Sequence, residues 1–340
     1  MNLLLRREPS PVGKSLIAGA AALAALAVAN HFVARWTEQR HPPEGTFLEV
    51  DGVRLHYSDR GQGSPIVLIH GNMVTGDDYN TSGLADLLLK HHRVIIFDRP
   101  GFGHSERPHA RLWTASKQAD LLHKAVQQLG VERPVVVGHS WGAIVALAYA
   151  VQHQADTSGV VALSGYYFWT LRPDVLLVGV GALPVVGDVL RYTVSPVVNW
   201  VMMPLVKRAL FSPGKVPARF NSEFSTGMAV RPSQIRATAQ DGALMIPGAL
   251  ALRGDYKNLK LPVTIMAGEG DKVVFARRAK QLHDAIEGSV LHVIPGAGHM
   301  VHHQATRQVA EAVEAVVEQA SRNIPNLANG LVSAPLSKAA

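Results

Sequence analysis

Apolar residues after position 45 form short runs typical of β-strands, separated by longer stretches with helical spacing. Thr46–Val50 and Val53–Tyr57 flank Asp51-Gly52, a two-residue turn signal, and together predict an antiparallel hairpin. Six more strands follow, and the first two are near-continuous apolar runs of the kind that is buried on both faces of a parallel sheet. These six lie at residues 65–70, 93–98, 134–138, 159–164, 263–267 and 290–294.

Helical periodicity fills most of the intervals between these strands. A regular alternation of strand and helix signals predicts a doubly wound α/β sheet, mostly parallel, with helices on both faces. The predicted helices cover residues 76–90, 114–129, 141–153, 276–287 and 301–321.

The alternation is interrupted between Tyr166 and Gly254. This stretch lacks strand-like runs, is rich in Leu, Val and Met, and has a proline every few residues, which predicts several short helices. Because the alternation then resumes, an all-helical insertion between strands of one sheet is more economical than two independent domains. We therefore predict a core of residues 46–165 and 255–321, an inserted helical unit of residues 166–254 and a flexible tail of residues 322–340.

The N-terminal segment 15–34 (SLIAGAAALAALAVANHFVA) contains no Lys, Arg, Asp or Glu. As a helix it would span about 30 Å, the thickness of the hydrocarbon core of a bilayer. The segment fits an uncleaved membrane anchor, in which Arg35-Trp36 supplies an interfacial pair. It also fits a cleavable signal peptide processed at Ala27-Val28-Ala29. A third alternative, an amphipathic or buried helix of the globular domain, lacks a polar face.

Positive residues flank this segment unequally, three before it and two after it. This asymmetry favours an N-terminus inside the cytoplasm and a catalytic domain outside it, and the alternative is a periplasmic or secreted protein after signal cleavage. Residues 41–45 (HPPEG) follow as a linker, so residues 1–45 form the predicted targeting segment. The flanking residues are Arg6, Arg7 and Lys14 before the segment, and Arg35 and Arg40 after it.

Composition narrows the chemistry that is open to the 340 residues. Because cysteine is absent, the chain has no disulfide, no thiolate zinc or iron–sulfur site and no cysteine nucleophile. The net charge of +7 raises nucleic acid or an anionic membrane as partners. Residues 166–254 hold nine Lys or Arg against four Asp or Glu, without a basic helix or interleaved aromatic residues. We therefore predict no nucleic-acid partner and a helical insertion that faces an anionic membrane surface.

The strongest chemical motif is GHSWG at residues 138–142, which ends a predicted strand and opens a predicted helix. This is the context of a nucleophile elbow, in which the glycines leave room for a strained turn and the serine projects above the sheet. The motif predicts Ser140 as a catalytic nucleophile, and the alternative is a serine that caps the helix. Ser105 also follows a glycine by two positions, but no helix begins there, and we reject it as a nucleophile.

A serine nucleophile needs a base within hydrogen-bonding reach and an acid that contacts the base. For a serine in a nucleophile elbow, the expected chain order is Ser, acid, His. His299 follows the last predicted strand in a Gly-rich loop, whereas His302 and His303 fall in the next helix and are expected to face solvent or the packing surface. Asp271 follows the strand at 263–267 and would accept the imidazole Nδ1–H. Glu269 is its nearest competitor, and an ion pair of Asp271 with Lys272 at the surface is the alternative.

An oxyanion hole needs two backbone donors. The residue after the nucleophile, Trp141, supplies one, and Asn72 in the loop after the strand at 65–70 supplies the other, since Gly71 allows a sharp turn there. Residues 98–103 (DRPGFG) close the next strand and, taken alone, form an unspecific turn.

Together these motifs, in this order from about Thr46 to Ser321, resemble the α/β-hydrolase superfamily. The resemblance implies an eight-stranded sheet with a helical cap at residues 166–254. It leaves the substrate open, because the superfamily includes esterases, lipases, peptidases, carbon–carbon hydrolases, dehalogenases, epoxide hydrolases and perhydrolases. Dehalogenases and epoxide hydrolases of this kind use an aspartate nucleophile, and position 140 is serine.

The sequence therefore predicts a serine hydrolase that cleaves carboxylic esters through an acyl-enzyme, with neither a cofactor nor a metal ion. Two alternatives stay open: other chemistry of the superfamily, such as carbon–carbon bond hydrolysis or perhydrolysis, and a non-catalytic binding module at the membrane. Apolar and aromatic residues of the cap would form a pocket for an apolar ester, although each of them could instead pack the cap onto the core. The candidates for substrate contact are Tyr166, Tyr167, Trp169 and Met245.

Overall fold

The apolar runs of the sequence become the strands of one eight-stranded sheet. The computed structural model describes residues 10–170 and 180–323. The spatial order of the strands is β1-β2-β4-β3-β5-β6-β7-β8, with β1–β2 and β2–β4 antiparallel and every other pair parallel. The strands are β1 (Thr46–Val50), β2 (Val53–Arg60), β3 (Ser64–Ile69), β4 (His92–Phe97), β5 (Val135–His139), β6 (Gly159–Leu163), β7 (Val263–Gly268) and β8 (Val290–Ile294).

Helices cover both faces of this sheet, which explains why the central strands are apolar at successive positions. Val67 and Ile69 of β3 contact the side covered by the helices at 115–128 and 141–152, whereas Ile66 and Leu68 contact the opposite side. The helices of the core are α2 (Asp78–Thr81), α3 (Leu84–Leu88), α4 (Ala115–Gln128), α5 (Trp141–Gln152), α11 (Arg277–Ala285), α12 (Val301–Gln304) and α13 (Thr306–Asn323).

Two predicted helices are each divided in the structure, and those two predictions were wrong. The helix expected at 76–90 is replaced by α2 and α3, because Gly83 between them has a positive φ of 77° that a helix does not accept. The helix expected at 301–321 breaks at Ala305, where φ is −133°, and continues as α13.

Between β6 and β7 the described chain, residues 164–170 and 180–262, forms helices and turns without a strand. The predicted fold class, a mostly parallel α/β-hydrolase sheet with a helical insertion, is confirmed. Part of the predicted cap (171–179) and most of the predicted tail (324–340) lie outside the described residues, so the domain division stays a prediction. The helices of the insertion are α6 (Val186–Tyr192), α7 (Val194–Phe211), α8 (Ala218–Glu223), α9 (Thr226–Ala229) and α10 (Pro232–Leu252).

The N-terminal helix α1 (Pro11–Arg40) is longer than the apolar segment that predicts it. Ser10 caps its first turn by accepting a hydrogen bond from the Gly13 N–H, and Pro11 occupies the first helical position. By length and composition α1 is able to cross a membrane, and most of its side chains are exposed. Residues 1–9, which include Arg6 and Arg7, lie outside the described residues.

Candidate active site

Ser140 lies in a sharp turn between β5 and α5. Its backbone adopts φ 54° and ψ −116°, a region that a non-glycine residue rarely occupies, and its N–H donates to the Leu163 carbonyl at 2.8 Å. Glycines on both sides allow this turn. A Cβ at Gly138 would lie 2.7 Å from the Ala143 Cα, and a Cβ at Gly142 would lie 2.6 Å from the His70 carbonyl oxygen.

The structure brings three of the predicted site residues together. Ser140 Oγ lies 2.9 Å from His299 Nε2, and His299 Nδ1 lies 2.8 Å from Asp271 Oδ2. The other oxygen of Asp271 accepts hydrogen bonds from the N–H groups of Val273 and Val274 at 2.8 and 2.9 Å. Because Asp271 can only accept, His299 Nδ1 carries the proton and Nε2 is free to accept one from Ser140. Asp271 is buried, so it is not part of a surface ion pair with Lys272.

Backbone hydrogen bonds hold the loop that carries His299. The His299 N–H donates to the carbonyl of Leu210 at 2.9 Å, near the end of cap helix α7. The His299 carbonyl accepts from Nε2 of His139 at 3.0 Å, so the residue before the serine holds the histidine loop directly. The position of His299 therefore depends on both α7 and the turn that carries Ser140.

A buried carboxylate fixes the chain just after this loop. His302 and His303 both donate through Nε2 to Asp78, at 2.7 and 2.8 Å. Burial alone would raise the pKa of Asp78, but the charges and hydrogen bonds of the two histidines lower it well below its usual value. His302 and His303 therefore do not face solvent, which was one of the two expectations for them, and they join the start of α12 to α2.

The loop after β3 places Asn72 close to the elbow. A Cβ at Gly71 would lie 3.1 Å from the Ser140 Cβ, so the glycine permits this approach. Within residues 10–170 and 180–323, the backbone N–H groups of Asn72 and Trp141 have no acceptor. The Asn72 side chain does not lie free, because its amide donates to the Thr238 carbonyl of α10 at 3.2 Å.

Arg99 holds this loop in place through hydrogen bonds to its backbone, a role that the sequence reasoning missed. Its guanidinium donates to the carbonyls of His70 and Gly71 at 2.8 and 3.0 Å and pairs with Asp241 of α10 at 2.5 Å. Arg107 pairs with the second oxygen of Asp241 at 2.9 Å. Burial, followed by the Arg99 charge, lowers the pKa of His70 to about 4, so this histidine is neutral at pH 7. The 98–103 turn is therefore structural support for the predicted oxyanion loop.

A sequence profile of the α/β-hydrolase fold matches residues 64–306, more than half of the chain. The chain belongs to the α/β-hydrolase family. Among its relatives, a 2-hydroxy-6-oxo-6-(2'-aminophenyl)hexa-2,4-dienoic acid hydrolase of Metapseudomonas resinovorans is 27% identical over 270 residues, covering 76% of this chain and 86% of the relative. Haloalkane dehalogenase 2 of Mycobacterium tuberculosis is 27% identical over 288 residues, covering 81% and 95%. An esterase of Exiguobacterium antarcticum has a similar fold, with a TM-score of 0.64 at 22% identity and coverage of 81% and 99%.

The predicted substrate contacts of this α/β hydrolase occupy different environments. Tyr166 and Tyr167 are buried in the core, and the Tyr167 hydroxyl accepts from the Gly165 N–H at 3.0 Å. Met245 is partly buried against the same core, and Trp169 is half exposed. Tyr166 also lines a cavity of about 80 Å³ that residues 273–278 close on the other side. Contact of these four residues with substrate stays a prediction.

A larger cavity, of about 280 Å³, is lined in part by the residues that follow Asn72 in the chain. It is bounded by linker residues 41–45, by residues 73–78 and by cap residues 220–234, and none of Ser140, Asp271 and His299 lines it. Its walls combine charged groups with Met and Phe side chains. In this hydrolase the 280 Å³ cavity is therefore separate from the Ser140 site.

One group of buried side chains in the described part of the chain is close enough to share a metal ion. Ligand atoms of Asp78, His139 and His302 lie within 4.8 Å of one another. Both Asp78 oxygens, however, already accept hydrogen bonds from histidines, and His139 Nε2 donates to the His299 carbonyl. The remaining nitrogens, Nδ1 of His139 and Nδ1 of His302, are buried without a partner among the described residues. Hydrogen bonding accounts for most of this cluster without a metal.

Proposed function

We propose that this α/β hydrolase is a serine esterase that cleaves carboxylic esters through an acyl-enzyme. The observation that carries the proposal is the continuous contact from Ser140 Oγ to His299 and from His299 to the buried Asp271, with spacings of 2.9 and 2.8 Å. These are hydrogen-bond distances between a nucleophile, a base and an acid in the roles that acyl transfer requires.

In the first half-reaction Ser140 Oγ attacks the ester carbonyl carbon while His299 Nε2 takes the hydroxyl proton. The imidazolium that forms is stabilised by Asp271, which holds the Nδ1–H. The N–H groups of Asn72 and Trp141 donate to the oxyanion, and His299 returns its proton to the leaving alcohol as the carbon–oxygen bond breaks. The products of this half are an acyl-Ser140 and a free alcohol.

In the second half-reaction a water molecule replaces the alcohol. His299 Nε2 removes a proton from this water as its oxygen attacks the acyl carbon, and the same proton then returns to Ser140 Oγ. The carboxylic acid leaves, and the enzyme regains its starting state. The same two donors stabilise the oxyanion in both halves.

Carbon–carbon bond hydrolysis is the second candidate, because a relative named as the hydrolase of a 2-hydroxy-6-oxo-dienoic acid, a substrate without an ester bond, is 27% identical over 270 residues. It would use the same serine, acid and base, with a carbanion rather than an alkoxide as leaving group. Dehalogenation is disfavoured despite the M. tuberculosis relative, since it requires a carboxylate nucleophile and Ser140 occupies that position.

The proposal includes a membrane location. α1 has 30 residues, a length of about 45 Å at 1.5 Å per residue, and few of its side chains are buried. We propose that it anchors the enzyme with the catalytic part outside the cytoplasm. Membrane fractionation and the mass of the mature protein test this, because retention gives a membrane-bound chain of 36.5 kDa whereas signal cleavage gives a shorter soluble one.

A fluorophosphonate probe tests the enzyme proposal. Wild-type protein is expected to be labelled, Ser140→Ala is expected to lose labelling, and Ser222→Ala, at an exposed serine of α8, is the matched control. Turnover of a short-chain aryl ester compared with a vinylogous 1,5-diketone then separates ester from carbon–carbon hydrolysis. Folded wild-type protein that takes up no probe would favour a non-catalytic binding module.

A further inference from the structure

Exposed apolar side chains are concentrated in two adjacent parts of the molecule. Among the described residues, twelve large exposed hydrophobic side chains lie between Leu183 and Leu205, eight lie in α1 and six are scattered elsewhere. Residues 183–205, which we call the apolar face, include α6 and most of α7. Soluble surfaces rarely expose so many neighbouring apolar groups, and such a patch indicates a partner or a membrane.

Charge is almost absent from the apolar face. Its two charged residues, Asp188 and Arg191, form a salt bridge of 2.8 Å, and the Arg191 side chain is buried. Positive residues return directly after the face, at Lys207 and Arg208. This arrangement of an apolar stretch followed by basic residues matches the hydrocarbon and headgroup levels of an anionic bilayer.

α1 is bound to the apolar face by a polar side chain. The Asn30 amide donates to the carbonyls of Tyr192 and Thr193, at 2.9 and 2.6 Å, where α6 and α7 meet at a bend of 61°. Carbonyls at the end of a helix lack partners within the helix, and in a lipid environment water cannot supply a donor. Asn30 therefore satisfies backbone groups that would otherwise be costly to place in a membrane.

The same region of α1 is where the helix leaves the folded part. Thr37 is buried close to Gly227, Glu38 pairs with Arg231 at 2.9 Å, and nearly every residue from 11 to 25 is exposed. The first half of α1 therefore extends away from the cap. A bilayer that surrounds this half must lie beside the apolar face, because Asn30 joins the two.

We propose that the apolar face inserts into the membrane leaflet through which α1 emerges, so that lipid hydrocarbon is its natural occupant. This inference rests on the proposed membrane anchoring of α1. A second copy of the chain is a poorer occupant, because it would have to share the same leaflet with α1 and displace lipid from a surface that is continuous with a spanning helix.

The inner side of α7 connects this surface to the site. Met203 belongs to a buried cluster with Val230 and Ile235, and Met73, the residue after Asn72, packs against that cluster. Near its end, the Leu210 carbonyl accepts from the His299 N–H. One helix thus presents its outer side to lipid and its inner side to the loops that carry the proposed oxyanion donor and base. Lipid-dissolved esters are the substrate class that this arrangement favours.

The absence of native cysteine allows a direct test with the full-length protein in vesicles of phosphatidylcholine and phosphatidylglycerol. Single variants Val201→Cys on the apolar face, Val28→Cys on α1 and Val293→Cys on β8 place a fluorescent label at sites that are 70%, 56% and 42% exposed. Labels at positions 201 and 28 are expected to be quenched by a lipid-attached quencher and protected from iodide. The label at position 293, the matched control, is expected to show the opposite behaviour.

The three labels separate failure of this inference from failure of the anchor. Lipid quenching at position 28 with iodide quenching at 201 would overturn insertion of the apolar face and leave the anchor intact. Iodide quenching at position 28 would overturn the anchor. Protection at position 201 from both quenchers would mean a protein partner and would also overturn the inference.

As a second readout, Val201→Asp is expected to lower activity on a vesicle-dissolved ester about tenfold relative to a water-soluble ester, whereas Val293→Asp leaves that ratio unchanged.

Discussion

Arg99 and Asp241 form a salt bridge of 2.5 Å in which neither side chain is exposed. Arg99 follows β4 in the core and Asp241 lies on α10 in the cap, so the pair joins the two parts. Because Arg99 also donates to the His70 and Gly71 carbonyls, the loop that carries Asn72 depends on the same guanidinium. Cap attachment and the geometry of the proposed oxyanion hole are therefore coupled through one ion pair.

Asp241→Asn is expected to be strongly destabilising. The substitution leaves the buried guanidinium groups of Arg99 and Arg107 without their carboxylate, which costs about 3–5 kcal/mol for a buried pair. Thermal unfolding in detergent measures the loss, and kcat on an ester is expected to fall with it because the Asn72 loop loses support. Glu223→Gln, which breaks an exposed pair with Arg219, is the control and is expected to cost below about 1 kcal/mol. Equal melting temperatures for the two variants would contradict this account.

Local patterns were sufficient to predict the sheet and the sharp turn that carries Ser140. Apolar runs buried on both faces identify the parallel strands, and the 138–142 motif carries its own structural context in the strand before it and the helix after it. The proximity of Asp271 and His299 to Ser140 was predictable because each follows a strand of the parallel sheet, and strand ends meet at one edge.

Long-range polar pairs were not predictable from one sequence. Asp241 is separated from Arg99 by 142 residues, and Asp78 is separated from His302 by 224 residues. No sequence motif near either residue indicates its partner. The spacing of apolar residues around each of them would be the same whether or not the pair formed. The predictions of single helices at 76–90 and 301–321 were wrong because hydrophobic periodicity continues across a short break in a helix. The apolar pattern therefore does not reveal the break.

Asp271→Asn tests the assignment of the acid. Asparagine retains the shape but cannot hold the His299 Nδ1–H as a carboxylate does, so the histidine loses the tautomer that accepts a proton from Ser140. We expect kcat to fall by about 10⁴ with little change in KM. Glu269→Gln is the matched control, because Glu269 is exposed in the same loop and was the nearest competitor by sequence. A larger fall in kcat for Glu269→Gln than for Asp271→Asn would mean that Glu269, and not Asp271, is the acid.

Asn30→Leu tests the contact between α1 and the cap. Leucine keeps the helix apolar and removes the donor from the Tyr192 and Thr193 carbonyls, which leaves two backbone acceptors unpaired. The expected loss is about 1–3 kcal/mol in thermal unfolding measured in detergent. Val33→Leu, on the same helix at an exposed position, is the control and is expected to change stability little. A melting temperature unaffected by Asn30→Leu would mean that this contact does not hold the helix.

Buried histidines set the pH dependence of stability. Burial, followed by the charge of Arg99, lowers the pKa of His70 to about 4, and burial also lowers the pKa of His139 and His302. In the unfolded chain each titrates near its ordinary value of about 6.5. Below that pH the unfolded state therefore binds protons that the native state does not bind.

Stability is expected to be full above about pH 6.5 and to fall as the pH is lowered toward 4, with a slope of up to about 1.4 kcal/mol per pH unit for each such histidine. Thermal midpoints in detergent at pH 7.5, 6.5, 5.5 and 4.5 measure this. His70→Gln removes one titrating group, so its midpoints should fall less steeply between pH 6.5 and 4.5 than those of the wild type, whatever the variant costs at pH 7.5. His91→Gln, at an exposed histidine, should retain the wild-type slope. Stability that rises between pH 6.5 and 5.5 in the wild type would mean that these histidines are charged in the native state.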